Sequence, residues 1–271
     1  MPQDKPLPVS SSEPPKFAPE QENLFREVML LLNEQGVPHV ISGAFALHEH
    51  TGIWRDTKDL DIFLTPEHVS VALDFLEEHG FQTEICDPVW LCKIRHGDYF
   101  VDLISGMSNA VIRVDQSWID RSFDSEVLGI PTKVLAPEEL IASKVFVAFR
   151  ERFDGSDIAH IVYAAGTTMD WSRLLSLIGD HWQMLLWSLV LFHYIYPAST
   201  AVPMLVWDEL LTKFRADLES PDSEAKFRGS LIDDKMFSID VLEWKLQNLL
   251  EEYRDKAQPK IDITDVKEPA A

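Results

Sequence analysis

The sequence predicts an α+β chain, with a small mixed sheet flanked by helices first and an all-helical part after it. Two observations carry this. Up to about residue 135, short apolar runs alternate with segments of helical period. From Pro137 onward almost every segment repeats its apolar residues at three- and four-residue spacing, and most of the eight tryptophans lie there. A chain of 271 residues has room for two modest domains.

The elements follow in order. Residues 1–21 are rich in Pro, Ser and charge and predict a loose tail. Residues 22–35 place Leu24, Val28, Leu31 and Leu32 on one helical face, closed by Gly36 as C-cap. His39–Val40–Ile41–Ser42 is a short buried strand, and Gly43 opens a second helix that ends at Thr51-Gly52. The run DLDIFL at 59–64 is strand-like, and Thr65-Pro66 supplies the cap and first position of a helix reaching Gly80. Strands are predicted around 81–86 and 90–95, with His96-Gly97-Asp98 turning into YFVDLI at 99–104. Helices are predicted over 138–151, 157–165, 171–178, 182–196, 203–219 and 239–253. The domains expected are a catalytic unit over 22–135 and a helical unit over 136–256, with a flexible tail over 257–271.

Composition narrows the function. The 24 Lys+Arg against 45 Asp+Glu give a net charge of −21, which repels phosphate backbones at long range and argues against a general nucleic-acid coat protein. A local basic groove remains compatible with that charge. Cys86 and Cys92 form no CxxC or disulfide framework and read as reduced thiols. The N-terminus lacks the apolar core of a secretory signal. The apolar run at 184–197 is shorter than the ~18 residues of a membrane span and reads as a buried core helix. A cytoplasmic protein without membrane contact is expected.

Three features point to chemistry. Ser42-Gly43 stands at a strand–helix turn, where a glycine lets backbone N–H groups approach an anion. Asp59 and Asp61, two apart, project to one face of a strand. Asp102 is a lone acid between Val101 and Leu103 on a later strand. Three carboxylates on one sheet face repel one another unless a cation sits among them, and magnesium prefers such hard oxygen donors together with substrate phosphates. Singly, each feature also has a structural explanation: one acid of the pair caps a turn and the other is solvated, and the glycine is a turn and nothing more. Order, strand placement and the third acid together point to a metal-dependent phosphoryl or nucleotidyl transferase. No H-E-x-x-H, zinc-spaced cluster, G-x-x-x-x-G-K-S/T or G-x-G-x-x-G is present.

The stretch VPHVISGAFALHEHTGIWRDTKDLDIFL, followed by YFVDLIS, resembles the nucleotidyltransferase superfamily, which pairs a glycine turn with D/E-x-D/E and a later third acid. The resemblance extends to small bacterial members, including the AbiEii-type toxin group, through Arg55, Thr57, Asp59 and Asp61 in the run R-x-T-x-D-x-D. It also extends through Lys144 with RERFDGSDIAHIV, where His160 replaces a second acid. The turn departs from the family's small-residue pattern at Phe45. The resemblance implies that Asp59, Asp61 and Asp102 are catalytic and hold magnesium, with two ions expected. Ser42, Gly43, Arg55, Lys58 and Lys144 are the nucleotide-binding candidates. A nucleoside monophosphate would pass from a nucleoside triphosphate to a hydroxyl of an RNA, a protein or a small molecule, releasing pyrophosphate. An antitoxin-like protein partner belongs to the toxin-group resemblance. The alternative is a catalytically silent fold that binds a nucleotide or a partner as a regulator. Arg55 and Lys58 could instead pair with neighbouring acids, and Lys144 could be a snorkelling surface lysine.

Overall fold

The computed structural model describes residues 13–257. Of the expected tails, residues 1–12 and 258–271 lie outside the described residues, while Pro19–Gln21 already form the start of the first helix. The chain divides into two compact units. One holds the described residues up to Ser105 together with Val114–Leu135; the other holds Gly106–Arg113 and the described residues from Ala136.

The first unit runs α1 (Pro19–Gln35), β1 (His39–Ile41), α2 (Gly43–Thr51), β2 (Leu60–Leu64), α3 (Pro66–Glu78), β3 (Gln82–Asp87), β4 (Leu91–His96), β5 (Tyr99–Ile104), α4 (Gln116–Asp120), β6 (Phe123–Val127) and β7 (Ile130–Val134). The strands form one seven-stranded mixed sheet in the order β3-β4-β5-β2-β1-β7-β6. β2 lies parallel to β5 and β1 parallel to β7, and the other neighbours are antiparallel. Helix α1 buries Leu24, Phe25, Val28, Met29 and Leu32, the stripe that a 3.6-residue period requires, and packs on β5 and β7. Helix α3 buries Val69, Ala72, Leu73 and Leu76 and packs on β3 and α1. The sheet answers with Leu60, Ile62, Cys92, Ile94, Val101 and Leu103, all buried. Because side chains alternate along a strand, those residues leave Asp61, Lys93 and Asp102 on the opposite face. Phe63, on the face of Asp61, stacks on the fully buried Trp118 of α4, with ring centroids 5.8 Å apart.

Helix α4 and the β6–β7 hairpin have no counterpart in the predicted elements. The hairpin turns through Leu128 and Gly129, both at positive φ (51° and 76°), the geometry that twists strands correctly into a two-residue connection. Leucine is rare at such a position, so the turn signal is masked.

The second unit is helical, as expected: α5 (Pro137–Lys144), α6 (Gly155–Ala165), α7 (Trp171–Ile178), α8 (Trp182–Ile195), α9 (Met204–Glu219), α10 (Ser238–Leu242) and α11 (Leu249–Lys256), with 3-10 turns at Gly179–His181 and Gly229–Leu231. Three predicted elements are corrected. The helix expected over 138–151 stops at Lys144, and an antiparallel bridge between Ala148 and Phe153 reverses the chain. The helix expected over 239–253 breaks into α10 and α11, with Lys245 at φ 60° between them. The apolar run read as a buried core helix is buried on one side only. Leu185, Leu186, Leu189 and Phe192 of α8 are inside, while Trp187, Val190 and Tyr194 are exposed, the last at 83%. By length and composition Trp171–Ile195 is apolar enough to cross a membrane, but Gly179 at φ 54° and its 3-10 turn divide it into α7 and α8. Neither helix alone reaches the about 18 residues a span requires.

Candidate active site

The site is built on the face of the sheet that α1 and α3 leave uncovered. Strand β1 ends at Ile41; Ser42 is extended and buried, and Gly43 starts α2 with φ +58°. The Ser42 backbone N–H donates to the Asp61 carbonyl at 2.9 Å, which fixes the turn against β2. A Cβ on Gly43 would stand 1.9 Å from Asp61 Oδ2 and 2.9 Å from its Cγ. Glycine is therefore required twice, by its backbone angle and by the carboxylate pressed against it. That carboxylate sits at the N-terminal end of α2, where the first N–H groups of a helix lack helical partners and favour negative charge. Phe45 does not obstruct the turn. It is buried and packs its ring against Phe17 and Trp54.

Asp59 lies one residue before β2 rather than on it. Thr57 Oγ1 donates to the Asp59 carbonyl at 3.0 Å and to Asp59 Oδ1 at 2.9 Å, so the loop orients that carboxylate without a strand. Asp61 and Asp102 are partners in the parallel β2·β5 register, which puts them on one face of adjacent strands, about 4.8 Å apart in backbone spacing. Asp102 is flanked on its other side by Lys93, its partner in the antiparallel β4·β5 register. Lys93 Nζ donates to Asp102 Oδ1 at 2.5 Å and lies 3.7 Å from the centroid of the Phe100 ring. Burial pushes the Asp102 carboxyl above the usual carboxylate range, against the opposing pull of Lys93 and Arg95, and the charge of Asp59 adds to the rise. Asp59 and Asp102 thus feel one another electrostatically.

Arg55 and Lys58 stand in the loop that leads into β2; Arg55 is half-buried and the Lys58 side chain is exposed. Lys144 ends α5 in the second unit. Its ammonium is buried between Asp154 Oδ2 at 2.8 Å and Asp157 Oδ2 at 3.0 Å. It is therefore neither exposed nor snorkelling. Burial disfavours its charge, but the two aspartates overcome that and hold it above the ordinary lysine value. Arg152 forms a fork to both oxygens of Asp154 at 2.9 Å.

Lys93 belongs to this face although no sequence motif marks it. The signal was present: a two-residue turn at Gly97-Asp98 sets His96 opposite Tyr99, and the register then brings Lys93 to Asp102.

Cys86 and Cys92 are free thiols, and burial pushes Cys92 up to about 12. Among the described residues no group of three or more His, Cys, Asp or Glu side chains is arranged to hold a metal ion. Magnesium nevertheless fits the donor chemistry of the sheet face. It is held by one or two carboxylates plus substrate phosphates rather than by an all-protein cage, and Asp61 and Asp102 are hard oxygen donors in register.

A family model described as "Nucleotidyl transferase of unknown function (DUF2204)" matches residues 21–176, more than half of the chain. No curated protein sequence matches. Similar solved structures include the antibiotic-resistance factor ANT(2'')-Ia, at 17% identity and TM-score 0.43, covering 65% of this chain and 97% of that one. The lincosamide antibiotic adenylyltransferase LnuA is 14% identical with TM-score 0.36, covering 54% of this chain and 98% of that one. An antigenic nucleotidyltransferase-like protein from Paracoccidioides brasiliensis is 17% identical with TM-score 0.39, covering 70% and 92%. On the match of the family model, the chain belongs to the nucleotidyl transferases of unknown function.

Proposed function

We propose that this protein moves a nucleoside monophosphate from a nucleoside triphosphate to a hydroxyl acceptor, with magnesium bound and pyrophosphate leaving. The observation that carries this reading is the junction of Gly43, Asp61 and Asp102. A helix N-terminus that only glycine can build is pressed against one carboxylate, which is in register with a second. Asp59 and Asp61 would hold the metal on the triphosphate, and Asp102 would share it. Two bound magnesium ions would neutralise the triphosphate and lower the pKa of the attacking hydroxyl. Asp102, half-buried and raised in pKa, is suited to accept the acceptor's proton. Backbone N–H groups after Ser42 and Gly43 would take phosphate oxygens, with Arg55 and Lys58 as cationic partners. The acceptor would be an RNA, a protein side chain or a small-molecule alcohol, in the cytoplasm, and a toxin role held in check by an antitoxin-like protein is a special case.

One observation favours the silent alternative: the Lys93 ammonium already sits on Asp102, the third acid. Isothermal titration tests the metal-dependent binding that the transferase requires, and transfer of the α-phosphate separates it from a silent fold that binds nucleotide. Triphosphate binding that requires magnesium and disappears in Asp59→Ala/Asp61→Ala supports the transferase. Folded protein that shows no magnesium-dependent triphosphate binding refutes it.

A further inference from the structure

We propose that this chain forms a twofold dimer through α8 and α9, the apolar face of one copy set against the same face of a second. This interface is independent of the acid face and of the chemistry proposed there. Helices α8 and α9 run antiparallel. Gln183 donates to Asp217 Oδ2 at 3.1 Å at one end, and the His193 and Trp207 rings meet at 6.1 Å at the other. Each helix has two apolar sides. On α9, Val206 and Leu210 are buried within the unit, while Met204, Trp207, Leu211, Phe214 and Leu218 repeat at spacings of three and four along a second stripe. On α8, Leu185, Leu189 and Phe192 are buried, while Trp187, Val190 and Tyr194 repeat at the same spacings on the outside. Trp207 touches α8, and Val190 lies one turn before His193, so the face continues from one helix to the other. Apart from the half-buried Trp207, the stripe residues are 43–83% exposed. At about 200 Å² for a large side chain standing free, they leave on the order of 800 Å² of apolar surface in water. The largest patch on a monomer is usually about 300–600 Å², and a stable interface takes about 800 Å² from each partner.

The occupant that fits is a second copy, because the α9 stripe and its charged edge both read alike in the two directions. Leu211 is the centre of the stripe, midway between Met204 and Leu218. A twofold axis at Leu211 sets Met204 against the second copy's Leu218, and Trp207 against its Phe214. Asp208 and Arg215 are two turns apart, so they share one edge of the stripe, and both are exposed. The same axis brings each copy's Asp208 to the other's Arg215, which gives two ion pairs across the interface. Glu209 and Lys213 already pair with each other within the helix, at 2.6 Å. A lipid surface fits poorly. Helices that lie on membranes carry Lys and Arg on the polar face, whereas α9 sets Asp208, Glu209, Asp217 and Glu219 against Lys213 and Arg215, in a chain of net charge −21.

The test is analytical ultracentrifugation of the full chain across the micromolar range. The wild type sediments as a dimer. Leu211→Glu sets two carboxylates together at the axis and sediments as a monomer, its dissociation constant raised about a hundredfold or more. Leu205→Glu, on the same helix but off the stripe, remains a dimer. Asp208→Arg and Arg215→Asp each raise the dissociation constant about tenfold, and the two combined return it to the wild-type value, which contact with an unlike protein does not produce. All four positions are exposed, and circular dichroism melts certify that each variant folds. A wild type that is monomeric throughout the range overturns the proposal, and flotation of that monomer with phosphatidylcholine–phosphatidylserine vesicles would assign the face to lipid instead. A Leu211→Glu protein that stays dimeric overturns it too, by placing the interface elsewhere. So do charge reversals that leave association unchanged, or a combined reversal that fails to restore what the single ones lose.

Discussion

Two lysine–aspartate pairs, one in each unit, use the same side chains and shift their aspartates in opposite directions. In the helical unit, Asp154 and Asp157 meet Lys144 and Arg152, two acids against two bases. Burial alone would raise Asp154, but Lys144 and Arg152 overcome it and hold its carboxyl at about 2. On the sheet, the half-buried Asp102 is also bonded to a lysine, yet its pKa is raised, because desolvation and Asp59 outweigh the pull of Lys93 and Arg95. The first cluster is satisfied within the protein and acts as a fastener. The second lies on the face proposed above to take a cation with substrate, and its aspartate is not depressed.

The comparison can be broken in four ways, taken from the largest expected effect down. Asp59→Ala or Asp61→Ala should lower nucleotidyl transfer by several kcal/mol, roughly a thousandfold or more, with little loss in urea stability. An equal loss of stability would make the sheet acids structural. Asp154→Ala should do the reverse on the stability axis. It leaves Lys144 buried with one partner fewer, at a cost of about 3–5 kcal/mol in urea unfolding. Gly43→Ala should cost about 1–3 kcal/mol from its positive φ and should also disable transfer, since its Cβ drives into the Asp61 carboxylate. The smallest effect is a pH dependence. Asp154 is depressed from 3.8 to about 2, so its contribution is full above pH 4 and is lost as pH falls from about 4 to about 2. Acid titration of unfolding should show that loss in the wild type and not in Asp154→Asn.

Much of the site was legible because it follows short rules. The strand period sets Asp61 on the face opposite the buried Leu60 and Ile62, and Thr65-Pro66 marks the start of α3. Asp102 stands out as a lone acid in an apolar strand. What escaped depends on contacts distant in sequence or on backbone states that side chains conceal. The β6–β7 turn hides behind Leu128 at positive φ. Helix α5 is cut short where the Lys144 ammonium meets Asp154 and Asp157 beyond the chain reversal, a pairing that helical period does not encode. Lys93 carries no motif, and only the hairpin register sets it opposite Asp102.

The most direct test of the account is transfer itself. Purified protein is incubated with magnesium, a cell extract and nucleoside triphosphates labelled at the α- or the γ-phosphate, beside the Asp59→Ala/Asp61→Ala variant. The account predicts that α-label, and not γ-label, appears on an RNA, protein or small-molecule fraction only when the acids are intact. Triphosphate binding without transfer of α-label to any fraction, or equal transfer by the variant, would contradict it.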